Sequence, residues 1–172
     1  YGYIDHHIAE VLFSTIFCVI YCYSLVSEKD KPIDLKEFGS YKRTLLLAVF
    51  SGIAYLLGLL AMPTMILFAM IVAIFTLIQF VIDYYRSRSS EYLLVLNTVT
   101  FGTAILGLLL FGLKNPGIDL STYSVGHIYA YLVLIGGTVL LWYLSAGLQG
   151  KNKLLYPAVL AGLALVSVAV LY

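Results

Sequence analysis

The sequence predicts an all-α, polytopic membrane protein with six transmembrane helices. Of its 172 residues, 62% are hydrophobic and only 11% are charged, whereas a soluble domain usually carries about 25% charged residues. The charges are grouped in short segments between long apolar runs, and runs of about 20 apolar residues are long enough to cross a bilayer as helices. The net charge of +1 gives no indication of nucleic-acid binding.

We expect residues 1–172 to form a single transmembrane domain, with spans at about 8–26, 44–61, 64–82, 92–113, 128–148 and 154–172. The uncharged run 44–82 would make a helix of about 58 Å, roughly twice the thickness of the hydrocarbon core. It must therefore contain two spans. Pro63 is the predicted break, because proline suits the first turn of a helix and disrupts its interior. The chain lacks an initiator Met and ends in an apolar run, so we expect a piece of a longer protein.

The basic residues predict how the spans are oriented. If the first span runs from outside to inside, nine of the ten Lys and Arg residues fall on the inner side, and only Lys114 falls outside. This is the asymmetry expected for cytoplasmic loops. It places Asp5 and His7, the turn at Pro63 and the loop 114–127 on the extracytoplasmic face of a cell membrane.

Packing roles are predicted for several residue types within the spans. Cys18 and Cys22, four residues apart on one helix face, are interpreted as packing residues. Small residues are expected to allow close helix contact at Gly102, Gly107, Gly112, Gly136, Gly137 and the pair Ala158/Gly162. Aromatic residues near the span ends are expected to form an interfacial belt of Tyr21, Tyr23, Tyr84, Tyr85, Tyr92, Tyr131, Trp142, Tyr143 and Tyr156.

The stretch YGYIDHHIAE gathers titratable residues at the mouth of the first span. A carboxylate and an imidazole, from Asp5 and His7, suit a divalent ion such as Mn²⁺, Mg²⁺ or Zn²⁺. Residues two apart lie on the same side of an extended segment but about 200° apart on a helix. If both bind one ion, we expect the helix to begin at or just after His7. The remaining ligands would come from elsewhere in the fold, from water or from a bound phosphate.

Two neighbouring residues are predicted to support this metal site. Glu10 is three residues from His7 and four from His6, so it can hydrogen-bond either imidazole and orient a ligand. A simpler interpretation stays open, in which Asp5 caps the helix, the acidic residues complement its dipole, and both imidazoles are hydrated. His127 opens the fifth span on the same predicted face.

The stretch GYIDHHIAEV, followed by a span and a Lys-rich loop, resembles the catalytic subunit of archaeal oligosaccharyltransferase, a glycosyltransferase of the GT-C class. That family carries the pattern Gly-x-x-Asp-His-His-x-x-Glu in its second extracytoplasmic loop, and Gly2, Asp5, His6, His7 and Glu10 match it. The resemblance implies a GT-C-type transmembrane domain in which Asp5 and His7 bind a divalent metal ion, Mn²⁺ or Mg²⁺. It assigns no other catalytic residue to this stretch and no substrate-binding residue.

The resemblance also implies a reaction and its partners. The family moves a glycan from a polyprenyl phosphate or pyrophosphate carrier to the Asn of an Asn-x-Ser/Thr sequon. The expected partners are therefore a lipid-linked oligosaccharide, an acceptor polypeptide and membrane lipid. The family's Trp-Gly pair is missing near Pro63, and its upstream metal-binding Asp and its Trp-Trp-Asp-Tyr-Gly motif do not occur in this sequence. We therefore expect this stretch to be inactive by itself.

Two other functions stay open on the sequence. One is a different GT-C enzyme that uses a lipid-phosphate sugar. The other is a non-enzymatic membrane scaffold or a transporter subunit. A transporter is disfavoured, because the sequence shows no charge within a span beyond the edge residues and no clear internal repeat.

Overall fold

A computed structural model describes residues 2–31, 33–113, 117–119 and 123–171, with side chains for residues 7–31, 33–113, 117–119 and 123–165. These residues form α1 (Gly2–Glu28), α2 (Phe38–Ala61), α3 (Ile66–Tyr85), α4 (Glu91–Phe111), α5 (Val125–Leu148) and α6 (Leu155–Leu171). The first five are long and apolar enough to cross a membrane, and α6 is a shorter apolar helix. The predicted all-helical, polytopic class is confirmed, and a crossing by α6 stays a prediction.

Successive helices run in opposite directions, so their ends meet in two groups. At one end, which we call the motif end, Thr64 contacts Glu10 across the bundle. At the other, which we call the basic end, Arg88 Nη1 lies 2.8 Å from Asp30 Oδ1. Nine of the ten Lys and Arg residues lie at the basic end, in or beside the helix ends that meet there. The connecting segments that the charge pattern assigns to one face therefore lie together at one end of the bundle, as predicted.

The centre of the bundle is the pair α2 and α4, which approach closely at two glycines. A Cβ atom on Gly52 would lie 2.8 Å from the Thr100 carbonyl oxygen, and one on Gly107 would overlap the Leu56 side chain. The prediction of close helix contact is thus correct for Gly107, and it missed Gly52. The prediction is wrong for five glycines, because a Cβ atom added to any of them would meet nothing within 4 Å. They are Gly102, Gly112, Gly136, Gly137 and Gly162. Of these, Gly112 ends α4 with a φ of 85°.

The predicted aromatic belt is wrong for most of its members. Tyr23 and Tyr143 are exposed, as a belt requires, and Tyr85 is partly exposed. Five other tyrosines of the predicted belt are instead buried in the core, namely Tyr21, Tyr84, Tyr92, Tyr131 and Tyr156. A buried phenol needs a hydrogen-bond partner, and these find one on a neighbouring helix or at its end. Sequence position near a span end therefore does not distinguish an interfacial tyrosine from a core tyrosine.

Two buried carboxylates stabilise the basic end. Glu28 accepts hydrogen bonds from Lys31 and Thr44, at 2.7 and 2.9 Å, and so joins α1 to α2. Asp83 is buried at the end of α3 and accepts a hydrogen bond from Tyr92 at 3.1 Å. Buried charges persist in proteins only where such partners offset their loss of hydration.

A buried polar network crosses the middle of the bundle and centres on Asn97. Its Oδ1 accepts a hydrogen bond from Tyr21 at 2.5 Å, and its Nδ2 donates to Thr76 at 2.8 Å and to Thr138 at 3.3 Å. These four residues belong to α1, α3, α4 and α5. Asn97 therefore joins four helices in a region where the apolar surroundings offer no competing partner.

We expect Asn97→Ala to lower the free energy of unfolding by about 2 kcal/mol, because it removes three interhelical hydrogen bonds of roughly 0.6 kcal/mol or more each. Thr98→Ala is the matched control, since Thr98 Oγ1 makes no hydrogen bond with any described residue. Chemical unfolding of the full chain in mixed micelles measures both variants. Equal losses for the two would show that the network contributes nothing beyond packing.

Candidate functional site

The candidate metal residues lie in the first turns of α1, which begins at Gly2. The helix therefore starts earlier than expected from shared ligation by Asp5 and His7. No proline lies between Gly2 and His7, and once a helix has formed each further residue adds one backbone hydrogen bond. Positions 5 and 7 of a regular helix lie about 200° apart around its axis. The two residues can share an ion only where this turn is unwound, and the side chains of Asp5 and His6 lie outside the described part.

His7 and Glu10 contact each other at the motif end. His7 Nδ1 lies 3.5 Å from Glu10 Oε2, and the His7 side chain is 60% exposed. Metal-binding histidines commonly direct one ring nitrogen to a carboxylate, which leaves the other nitrogen for the metal. In this pair, the contact at Nδ1 leaves Nε2 of His7 as the nitrogen for a ligand. Glu10 therefore contacts an imidazole as predicted, and metal binding by His7 stays a prediction.

Thr64 extends this contact to the next helix pair. Its Oγ1 donates a hydrogen bond to Glu10 Oε1, so both carboxylate oxygens of Glu10 have a partner. Thr64 lies in the 3-10 turn Pro63–Met65 between α2 and α3, where Met62 is extended and ends α2. The predicted break at Pro63 therefore also positions Thr64 beside the motif. Thr64 could not be identified from the sequence, because a single Thr beside a proline carries no recognisable signal.

Two tyrosines hold this turn in place. Tyr55 on α2 is fully buried and donates to the Met65 carbonyl at 3.0 Å. Tyr123, just before α5, donates to the Leu60 carbonyl at 2.7 Å, and burial raises the pKa of its phenol. Because Tyr55 and Tyr123 both hydrogen-bond to the turn, the Thr64 hydroxyl that Glu10 contacts is held in a fixed position. Neither tyrosine was identified from the sequence, since both lie in runs without a recognisable motif.

His127 is buried beneath the same turn. It lies in the first turn of α5, is fully buried, and packs beside Tyr131 with ring centroids 6.3 Å apart. The Pro63 backbone carbonyl is close to it, yet neither ring nitrogen makes a hydrogen bond to a described residue. His127 thus lies at the same end as His7, as the sequence predicts, but inside the bundle. Among the described side chains, no three His, Cys, Asp or Glu residues are grouped closely enough to hold a metal.

An apolar groove runs along the bundle between α3 and α5 and has a volume of about 420 Å³. It begins near Ile66, next to the turn, and Leu160 and Leu163 of α6 line it further down. Small residues from both main helices open it, namely Ala69, Ala73, Ala130 and Gly137. Gly137 therefore creates space rather than a helix contact. A groove of this shape accommodates a hydrocarbon chain, since little in it can form a hydrogen bond.

Comparison with known proteins identifies one relative by sequence. No protein-family model matches the chain. The chain is 24% identical over 178 aligned positions to the dolichyl-monophosphooligosaccharide–protein glycotransferase AglB of Haloferax volcanii. The alignment covers 97% of this chain and 16% of the relative, so the chain spans about a sixth of that protein's length.

Two solved structures of Archaeoglobus fulgidus oligosaccharyltransferase share the fold. One, of AglB with an inhibitory peptide and a dolichol-phosphate, matches 99% of this chain with a TM-score of 0.74 and 22% identity. The other, tethered to an acceptor peptide containing the NVT sequon, matches 94% with a TM-score of 0.71 and 23% identity. Each match covers 20% of the solved chain. The chain is therefore similar, in sequence and in fold, to part of the transmembrane region of archaeal oligosaccharyltransferase AglB, as the resemblance of its motif implied.

Proposed function

We propose that this chain is part of an oligosaccharyltransferase that moves a glycan from a polyprenyl phosphate or pyrophosphate carrier to the Asn of an Asn-x-Ser/Thr sequon. The observation that carries the proposal is the motif of Asp5, His6, His7 and Glu10 at one end of a bundle whose fold matches AglB. Since the chain spans only a small share of its relatives, the activity is proposed for the full-length protein.

We assign Asp5 and His7 as ligands of Mn²⁺ or Mg²⁺, with His6 and Glu10 supporting them. When bound, such an ion would neutralise negative charge on the leaving phosphate. Glu10 would orient the His7 ring through Nδ1, and Thr64 would hold Glu10 against the turn at Pro63. Shared ligation by Asp5 additionally requires the first turn of α1 to unwind, and an amino-terminal turn has few backbone hydrogen bonds to lose.

We assign the apolar groove between α3 and α5 to the polyprenyl tail of the carrier. Its lining is apolar, and its upper end lies at Ile66, directly after the turn that contacts Glu10. A tail in this groove would bring the phosphate to the motif end. The solved AglB structure with a dolichol-phosphate makes such a lipid a reasonable ligand class for this chain.

The positive-inside asymmetry supports an extracytoplasmic motif end. Nine of the ten basic residues lie at the opposite end of the bundle. On this assignment the glycan is transferred outside the cytoplasm by a multi-pass protein in the cell membrane, and the carrier reaches the site from within the bilayer.

The proposal is tested by a transfer assay on the full-length enzyme in lipid vesicles. We expect a polyprenyl-phosphate-linked glycan to glycosylate a peptide containing Asn-x-Thr, as read by mass spectrometry, and not the matched Gln-x-Thr peptide. EDTA is expected to abolish transfer, and added Mn²⁺ or Mg²⁺ to restore it, because the leaving phosphate then regains its counter-charge. Transfer that persists in EDTA would contradict the metal role. Absence of any glycopeptide would contradict the function.

A further inference from the structure

A polar cleft lies at the basic end, between the ends of α3 and α5 and the segment that leads into α6. It has a volume of about 220 Å³ and is lined by three cationic side chains, Arg88, Lys151 and Lys153. Among the described residues that line it, none is acidic. Ser87, Ser145 and Gln149 add hydroxyl and amide donors to its wall. This set of donors matches the oxygens of a phosphate group.

The walls of this cleft are joined by hydrogen bonds between helices. Tyr84 OH donates to the Leu148 carbonyl at 2.7 Å, which ties the end of α3 to the end of α5. Lys153 Nζ donates to the Tyr85 carbonyl at 3.0 Å. The Tyr84 ring also stacks on Tyr156 of α6, with centroids 4.7 Å apart. These contacts fix the walls of the cleft relative to one another.

A second cleft adjoins the first through Arg88. It has a volume of about 280 Å³, and Lys29 and Lys31 contribute further positive charge. Two of its cations are partly neutralised, since Arg88 pairs with Asp30 and Lys31 with Glu28. Lys151 and Lys153 line only the first cleft, have exposed side chains, and form no ion pair with a described acidic residue. The first cleft is thus the more strongly positive of the two.

The first cleft has an exposed apolar residue next to one of its cations. Leu154, which follows Lys153 in the chain, is 65% exposed. An apolar residue at this end of a membrane-spanning bundle faces the hydrocarbon or the headgroup region. A ligand that carries both a phosphate and an apolar chain can contact the cations and this side chain together, which free phosphate cannot.

We propose that this cleft binds the phosphate headgroup of an anionic phospholipid in the leaflet at the basic end. Basic pockets between transmembrane helices commonly take such headgroups. The site lies at the opposite end of the bundle from His7 and Glu10. The inference therefore goes beyond the glycosyltransferase function and does not depend on it.

Native mass spectrometry of the full chain in a neutral detergent tests the site. We expect phosphatidylglycerol to bind at least tenfold more tightly than phosphatidylcholine with the same acyl chains. Lys151→Gln combined with Lys153→Gln is expected to weaken phosphatidylglycerol binding about 25-fold, at roughly 1 kcal/mol for each basic residue. The matched control combines Lys36→Gln with Lys42→Gln, which removes the same charge from exposed positions that line neither cleft.

Each of the following results would overturn the proposal. They are equal binding of the two lipids, and equal losses of phosphatidylglycerol affinity in the cleft variant and the control. A third is displacement of phosphatidylglycerol by millimolar inorganic phosphate, which would indicate a site for free phosphate. Because Lys153 also bonds to the Tyr85 carbonyl, Lys151→Gln alone serves as a second variant that leaves this bond intact. It is expected to weaken binding about fivefold without changing the helical circular dichroism signal. Unchanged binding in this folded variant would also refute the assignment.

Discussion

Replacing Asp5 or His7 with Ala in the full-length enzyme is expected to reduce glycan transfer about 100-fold or more, because a bound metal ion contributes several kcal/mol of charge stabilisation. The same variants should weaken Mn²⁺ binding, measured by electron paramagnetic resonance of the free ion. This second measurement separates loss of the ligand from loss of a substrate contact. Unchanged transfer and unchanged Mn²⁺ binding in both variants would show that these residues are not ligands.

The matched control for Asp5→Ala is Asp34→Ala. Asp34 is exposed at the basic end. Among the described residues, its carboxylate accepts a hydrogen bond only from the backbone N–H of Lys36. Its replacement removes the same charge from the opposite end of the bundle, and we expect transfer to stay within about twofold of the original enzyme, as for other surface substitutions. A comparable loss in this control would indicate a general effect of net charge.

Gly52→Val is expected to destabilise the fold more than Asn97→Ala does. A side chain at Gly52 would overlap Thr103 Cβ, 2.7 Å from the Cβ position, and the Thr100 backbone carbonyl. The backbone cannot move aside as a flexible side chain can, so α2 and α4 would have to separate along their length. Overpacking of this kind costs about 3 kcal/mol or more. Chemical unfolding in mixed micelles should show the loss, or the variant should fail to yield folded protein.

Gly102→Val is the matched control on the facing helix. A Cβ atom at Gly102 would meet nothing within 4 Å, and valine is no worse than glycine in a helix. We expect its stability to stay within about 1 kcal/mol of the original chain. If Gly52→Val and Gly102→Val are equally stable, then α2 and α4 do not approach as closely as described.

The hydrophobic pattern predicts the helices well because it reflects the bilayer as a solvent. An apolar run must satisfy its backbone internally to cross hydrocarbon, so its length and its flanking charges are visible in one chain. Pro63 could likewise be recognised as a break, because its missing N–H and its ring constrain the helix locally. The start of α1 could not be predicted in this way. The expected start, at or just after His7, followed from shared metal ligation by Asp5 and His7 and not from a local signal in the sequence.

The amino-acid sequence was sufficient to predict the membrane class, the apolar helices, the two groups of connecting segments and the motif of Asp5, His6, His7 and Glu10. The three-dimensional arrangement was needed to show which glycines touch a neighbouring helix, which tyrosines are buried, that Thr64 holds Glu10, and where the groove and the basic cleft lie. The bilayer explains this division. Because the surfaces that face lipid and those that face protein are both apolar, a single sequence does not reveal which side of a helix meets which neighbour.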